Sequence, residues 1–170
     1  MTVCPAISIN GLRKRFGANE VLRGLDLDAN DGDVISLIGA SGSGKSTLLR
    51  SIPMLEIPDE GTIAVGQDSV APKHGKLSGR QEATARRMRG HLGFVFQNFN
   101  LWPHRTVLQN VTEAPMFVQN RPRAECIDEA MALLEKVGLA EKREAWPAHL
   151  SGGHFDDGLK QLLADTSDLP

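Results

Sequence analysis

An α/β fold built around a phosphate-binding loop is predicted by three features of the sequence. The nine residues Gly39-Ala40-Ser41-Gly42-Ser43-Gly44-Lys45-Ser46-Thr47 fit G-x-x-x-x-G-K-[ST] without a mismatch. Asp33-Val34-Ile35-Ser36-Leu37-Ile38 before them reads as a buried strand, and Leu48-Leu49-Arg50-Ser51-Ile52 after them can open a helix that Pro53 then disturbs. A second apolar run, His91-Leu92-Gly93-Phe94-Val95-Phe96, reads as another buried strand and ends on Gln97. Strand, glycine loop and helix start together make a nest in which consecutive backbone N–H groups converge on an anion. Lys45 would reach the β- and γ-phosphates, and the Ser46 hydroxyl would complete the shell of a Mg²⁺ ion. A flexible Gly/Ser turn carrying a stray lysine would need neither the strand nor the helix. The expectation is a nucleoside triphosphate site.

The other elements follow along the chain. Ile7-Ser8-Ile9, Val21-Leu22-Arg23 and Leu25-Asp26-Leu27 alternate as half-buried strands do, and Asn10-Gly11 and Gly17-Ala18-Asn19 carry turn chemistry. They predict an antiparallel layer ahead of a mostly parallel core sheet. Gly61-Thr62-Ile63-Ala64-Val65-Gly66 reads as a further strand. A polar, basic stretch over 71–90 carries a helix around 81–89, with Ser78 near its cap. Helices are then predicted over 106–114 and 123–137. The second sets Ile127, Ala130, Met131, Leu134 and Val137 at helical spacing.

Composition removes several classes. A chain of 170 residues, 41% hydrophobic and 24% charged, has the make-up of a soluble globular domain with a real core. Its net charge of −2 argues against a nucleic-acid binder, and Arg86, Arg87 and Arg89 read as a solvated helix face. No apolar run approaches membrane-spanning length, and the first residues lack the pattern of a leader. Cys4 and Cys126 stand apart without ligand spacing, as free thiols of a reducing compartment do. These features point to the cytoplasm.

From about Ile7 to Gly153 the chain resembles the ATP-binding subunits of ABC transporters. The resemblance rests on Phe16, on the Walker A loop Gly39 to Thr47, on Phe94-Val95-Phe96-Gln97 as the Q-loop strand, and on Leu150-Ser151-Gly152-Gly153 as the start of the family signature. Met54-Leu55-Glu56-Ile57-Pro58-Asp59-Glu60-Gly61 and Phe96-Gln97-Asn98-Phe99-Asn100-Leu101-Trp102-Pro103-His104 resemble the importers of polar amino acids and opines. The resemblance implies a P-loop ATPase domain over residues 1–153, with a helical subdomain over 98–153 and a divergent tail over 154–170. It implies ATP and Mg²⁺ held by Phe16, Gly39, Ser41, Gly42, Gly44, Lys45, Ser46 and Thr47, with Gln97 at the metal and the attacking water. It implies a dimer in which Ser151, Gly152 and Gly153 meet the partner's γ-phosphate. Permease subunits at the inner face of the membrane would be driven, with a periplasmic solute-binding protein engaged indirectly. Plainer readings compete: Phe16 as a core residue of an edge strand, Gln97 as a strand cap, and Leu150 to Gly153 as a common turn. Leu77-Ser78-Gly79-Arg80-Gln81 imitates the signature but lies before the Q-loop, with Arg80 in a glycine position.

After Gly153 the family pattern stops. His154-Phe155-Asp156-Asp157-Gly158 is acidic where the family is basic, and Leu162-Leu163-Ala164-Asp165 is a poor Walker B because Gln161 interrupts it and Thr166 replaces the glutamate. No switch histidine follows, and His154 reads as an exposed polar residue. Without a carboxylate to orient the attacking water, turnover is expected to fail while binding survives. The ending reads as that of a truncated or frame-disrupted product. The alternative function is a non-hydrolysing nucleotide-binding fragment; a soluble P-loop kinase is disfavoured by the Q-loop and signature.

Overall fold

The computed structural model describes residues 5–96 and 100–150. They fall into two compact units that divide between Val95 and Phe96. The first holds β1 (Ile7–Phe16), β2 (Asn19–Ala29), α1 (Lys45–Ser51), β3 (Glu60–Val65), β4 (Asp68–Val70) and α2 (Gly79–Gly90). Its sheet has the order β2-β1-β3-β4 and every pairing is antiparallel. Alternation along the strands buries Ile9, Leu12, Leu22, Ile63, Val65 and Val70, and these join Leu48, Met54, Ala85 and Met88 in one core. The expected antiparallel layer is therefore present, with the two runs over 21–27 fused into the single strand β2.

Two expectations are corrected. Asn10-Gly11 is not a turn but a bulge inside β1: pairing skips from Ile9 to Leu12, with Gly11 at φ 60. Turn and bulge share this chemistry because both need a left-handed residue. Gly61 makes the matching concession on β3, since a Cβ there would lie 2.7 Å from the Leu12 Cα. Second, residues 33–38 and 92–96 are not strands. Val34 and Ile38 are 94% and 95% exposed and Val95 is 66% exposed. An apolar run becomes a buried strand only when neighbours take up its backbone N–H and C=O groups. Neither segment joins the described four-stranded sheet, so the parallel core sheet is not formed by them. Instead residues 33–37 wall a cavity of about 470 Å³ against β1, β2 and α1, lined by Ile9, Leu27, Ile35, Leu37, Leu48 and Ile52.

The arginines of α2 are exposed, as expected of a solvated helix face, and two of them also make contacts within the unit. Arg87 grips the Asp68 carboxylate at 2.6 Å and so ties α2 to β4, and Arg89 donates to the Pro53 carbonyl at 3.2 Å. The Arg87 hydrogen bond holds the Asp68 carboxyl below the usual carboxylate range. Ser78 caps α2 in a reciprocal box with Gln81, so the false signature is a helix start as expected.

In the second unit, α3 (Val107–Phe117) and α4 (Arg123–Lys136) pack around Val107, Leu134 and Leu139, with Val111, Met131 and Leu150 at the margin. Thr106 and Gln109 form a second capping box. Gly138, at φ 68, ends the α4 segment. Among the described residues no helix is long and apolar enough to cross a membrane.

Candidate functional site

The phosphate loop is shaped by its glycines and closed by its lysine. Gly42 and Gly44 take φ 78 and 94, conformations that a Cβ makes costly, and Gly44 is the N-cap of α1. A Cβ on Gly39 would come within 2.8 Å of the Ser43 Oγ, so the cradle is built to the width of a glycine. The Lys45 ammonium turns back into this loop and donates to the carbonyls of Gly39 and Ala40 at 2.7 and 2.8 Å and to the Ser43 hydroxyl at 3.2 Å. All three partners are uncharged oxygens. The cation is thus held in place while no acid among these contacts spends its charge.

No side chain caps the start of α1, which leaves its first amides to a ligand. Buried Leu48 fixes the helix in the core, and Ser51 Oγ donates to the Thr47 carbonyl at 2.8 Å. Gly44 lies against Val21 and Leu22 of β2, the strand that hairpins with β1. Ser41 and Ser46 are exposed. Converging amides, a cationic amine and two hydroxyls fit a polyphosphate. Among the described residues no group of three or more His, Cys, Asp or Glu could hold a metal.

Phe16 ends β1 and pairs with Asn19 across the Gly17-Ala18 turn. It is 48% exposed, and β1 lies between β2 and β3, so it is neither a core residue nor on an edge strand. Lys14, which the sequence did not single out, sits beside it with its Nζ 5.1 Å from the ring centroid. Asn110 was also missed. Its side chain accepts from the Trp102 N–H at 2.8 Å and donates to the Thr106 carbonyl at 2.9 Å, fastening the loop before α3. An amide-bearing side chain inside a predicted helix was the available signal. Gln97, Ser151, Gly152, Gly153, His154 and Asp165 lie outside the described residues.

The chain is similar to known proteins in sequence and in fold. A family model described as ABC transporter matches residues 22–157. The octopine permease ATP-binding protein P of Rhizobium radiobacter is 52% identical over 154 residues, covering 89% of this chain and 59% of that protein. The histidine/lysine/arginine/ornithine transport ATP-binding protein HisP of Escherichia coli is 48% identical over 151 residues, covering 86% and 59%. Among solved structures, the dimeric post-hydrolysis state of the ATP-binding cassette MJ0796 bound to ADP and Pi superposes with a TM-score of 0.73. It is 28% identical, over 94% of this chain and 70% of that one. The chain spans about 59% of the length of the curated relatives it matches.

Proposed function

The chain belongs to the ABC transporter family and resembles its polar amino acid and opine permease ATP-binding subunits, and from that premise we propose that it binds Mg-ATP in the 39–47 loop to power such an importer. The observation that carries the reading is the Lys45 ammonium, held among three neutral oxygens at the mouth of an uncapped helix. On arrival of a triphosphate, Lys45 exchanges loop carbonyls for β- and γ-phosphate oxygens, a stronger charge-assisted contact. The amides of Gly44, Lys45, Ser46 and Thr47 take the remaining oxygens, and Gly39, Ser41 and Gly42 let the backbone close around them. Ser46 would hold Mg²⁺ through its hydroxyl, and the ion would supply charge neutralisation at the γ-phosphate. Phe16 offers a ring face to adenine.

Gln97 is assigned to orient the attacking water. Ser151, Gly152 and Gly153 are assigned to the γ-phosphate of a second subunit in a dimer, on the cytoplasmic face of the membrane against permease subunits. The domain assignment is residues 1–153, with 98–153 as its helical part and 154–170 as a divergent tail. A second reading is nucleotide binding without turnover by this chain alone. It is favoured by segments 33–38 and 92–96, neither of which is a strand of the described sheet.

Calorimetric titration of the 170-residue chain with Mg-ATP tests the assignment. Lys45→Ala should weaken binding by about 10- to 150-fold, the equivalent of about 1.5–3 kcal/mol for a charge-assisted contact. Equal affinity in both proteins would remove the loop from the site. Phosphate release near background, with binding intact, would select the second reading.

A further inference from the structure

We propose that Lys14 is a positioning residue for the base platform, and that its ion pair with Glu56 sets that platform against the phosphate loop. The proposal rests on the reading of Phe16 as the surface on which adenine stacks. Lys14 and Phe16 are two apart on β1, on either side of a register shift that lets the two side chains meet. The Lys14 ammonium stands 5.1 Å from the Phe16 ring centroid, within the range of a cation–π contact. It is anchored there by the Glu56 carboxylate at 2.6 Å and the Ile57 carbonyl at 2.7 Å. The Lys14 side chain is only 11% exposed, whereas Phe16 is 48% exposed. The cation is therefore confined to one face of a ring that still has ample surface for a base.

Two consequences follow from simple electrostatics. A cation beneath the ring draws π density towards itself, so the opposite face is better disposed to an electron-rich purine. Its fixed position also limits the orientations the ring can sample. The anchor leads back to the phosphate loop. The N–H of Glu56 donates to the Arg50 carbonyl at 3.0 Å, near the end of α1, the helix that begins at Lys45. A continuous path thus runs from Lys45 along α1 to Arg50, Glu56, Lys14 and Phe16. At the other end of the same helix, Gly44 abuts Val21. Base platform and phosphate loop are braced at both ends of α1.

The test uses Lys14→Met, which keeps the stem and removes the charge, with Lys14→Arg as the conservative variant. Each is titrated calorimetrically with Mg-ATP and with inorganic tripolyphosphate, which reports the loop without a base. Lys14→Met should weaken ATP about two- to five-fold, the range of a cation–π contact near a surface, and leave tripolyphosphate unchanged. Lys14→Arg should restore ATP binding, and in a Phe16→Ala background Lys14→Met should have no further effect. Unchanged ATP affinity in Lys14→Met, while Phe16→Ala is weakened, would overturn the proposal and spare the platform. Equal losses for ATP and tripolyphosphate would also overturn it, by showing a general structural role. Unchanged ATP affinity in Phe16→Ala would instead remove the platform, and this proposal with it. If Lys14→Met does not fold, Glu56→Gln makes the same comparison from the other side of the ion pair.

Discussion

Replacing Gly44 by alanine separates conformational strain from crowding at the phosphate loop. Gly44 sits at φ 94, and a residue with a Cβ in left-handed space loses about 1–2 kcal/mol. Its added Cβ would lie 2.9 Å from the Val21 Cγ1, 3.2 Å from the Val21 carbonyl oxygen and 3.3 Å from the Leu22 Cδ2. The carbonyl is backbone of β2, at the register shift between Glu20 and Leu22, and a backbone atom yields less readily than a side-chain tip, so overpacking adds about 1–3 kcal/mol. The expected total is about 2–5 kcal/mol. Gly42 is the control: it has φ 78, but nothing lies within 4 Å of its added Cβ, so Gly42→Ala carries the strain alone.

Urea unfolding reads the difference. With a slope of about 2 kcal/mol/M, the crowding part places the Gly44→Ala midpoint about 0.5–1.5 M below that of Gly42→Ala. Adding Val21→Ala to Gly44→Ala should recover part of the loss, because it deletes the nearest atom. Equal midpoints for the two single variants, or strict additivity with Val21→Ala, would refute the close packing of loop on strand.

Other expectations rest on equally local features. Asp68 titrates below the usual carboxylate range in the folded chain, so its contribution to stability is present above about pH 4 and is lost as pH falls through its folded value. The midpoint difference between wild type and Asp68→Asn should accordingly shrink on acidification, and a gap unchanged between pH 7 and pH 3 would count against the Arg87 tether. Gly61→Ala brings a Cβ against the Leu12 Cα and the Gly11 and Asn10 carbonyl oxygens at 2.7–2.9 Å, so it should be more damaging than Gly66→Ala, which meets nothing within 4 Å. Equal thermal midpoints for that pair would mean that β3 shifts freely. Thr106→Ala removes one half of the α3 capping box and should cost about 1 kcal/mol, checked by the same unfolding assay.

The parts of the chain legible in its sequence were those whose cause is local. Gly39 to Thr47 announce a phosphate loop because backbone freedom and a cation are needed at fixed spacing. Ser78 announces a helix start because its cap partner is three residues away. Residues 33–38 misled because apolar pattern reports a tendency to be buried, whereas strand formation depends on distant partners. At three residues, β4 is too short to show a period. Lys14 was invisible because its meaning lies in Glu56, forty-two positions on, a pairing that only the fold creates. The fold class was thus readable, but the Lys14–Glu56 ion pair beside Phe16 was not.

The exposed run at 33–38 also has a colloidal consequence. A ribbon with Val34 and Ile38 turned to water presents, among the described residues, backbone groups outside any sheet beside sticky side chains. Two copies meeting there could zip together, so self-association should grow steeply with concentration. Charge offers little resistance, since the whole molecule carries only −2 at neutral pH. Light scattering across a dilution series would read this as turbidity. A lysine at position 34 or 38, acting as a gatekeeper, should suppress it without touching the loop that begins at Gly39.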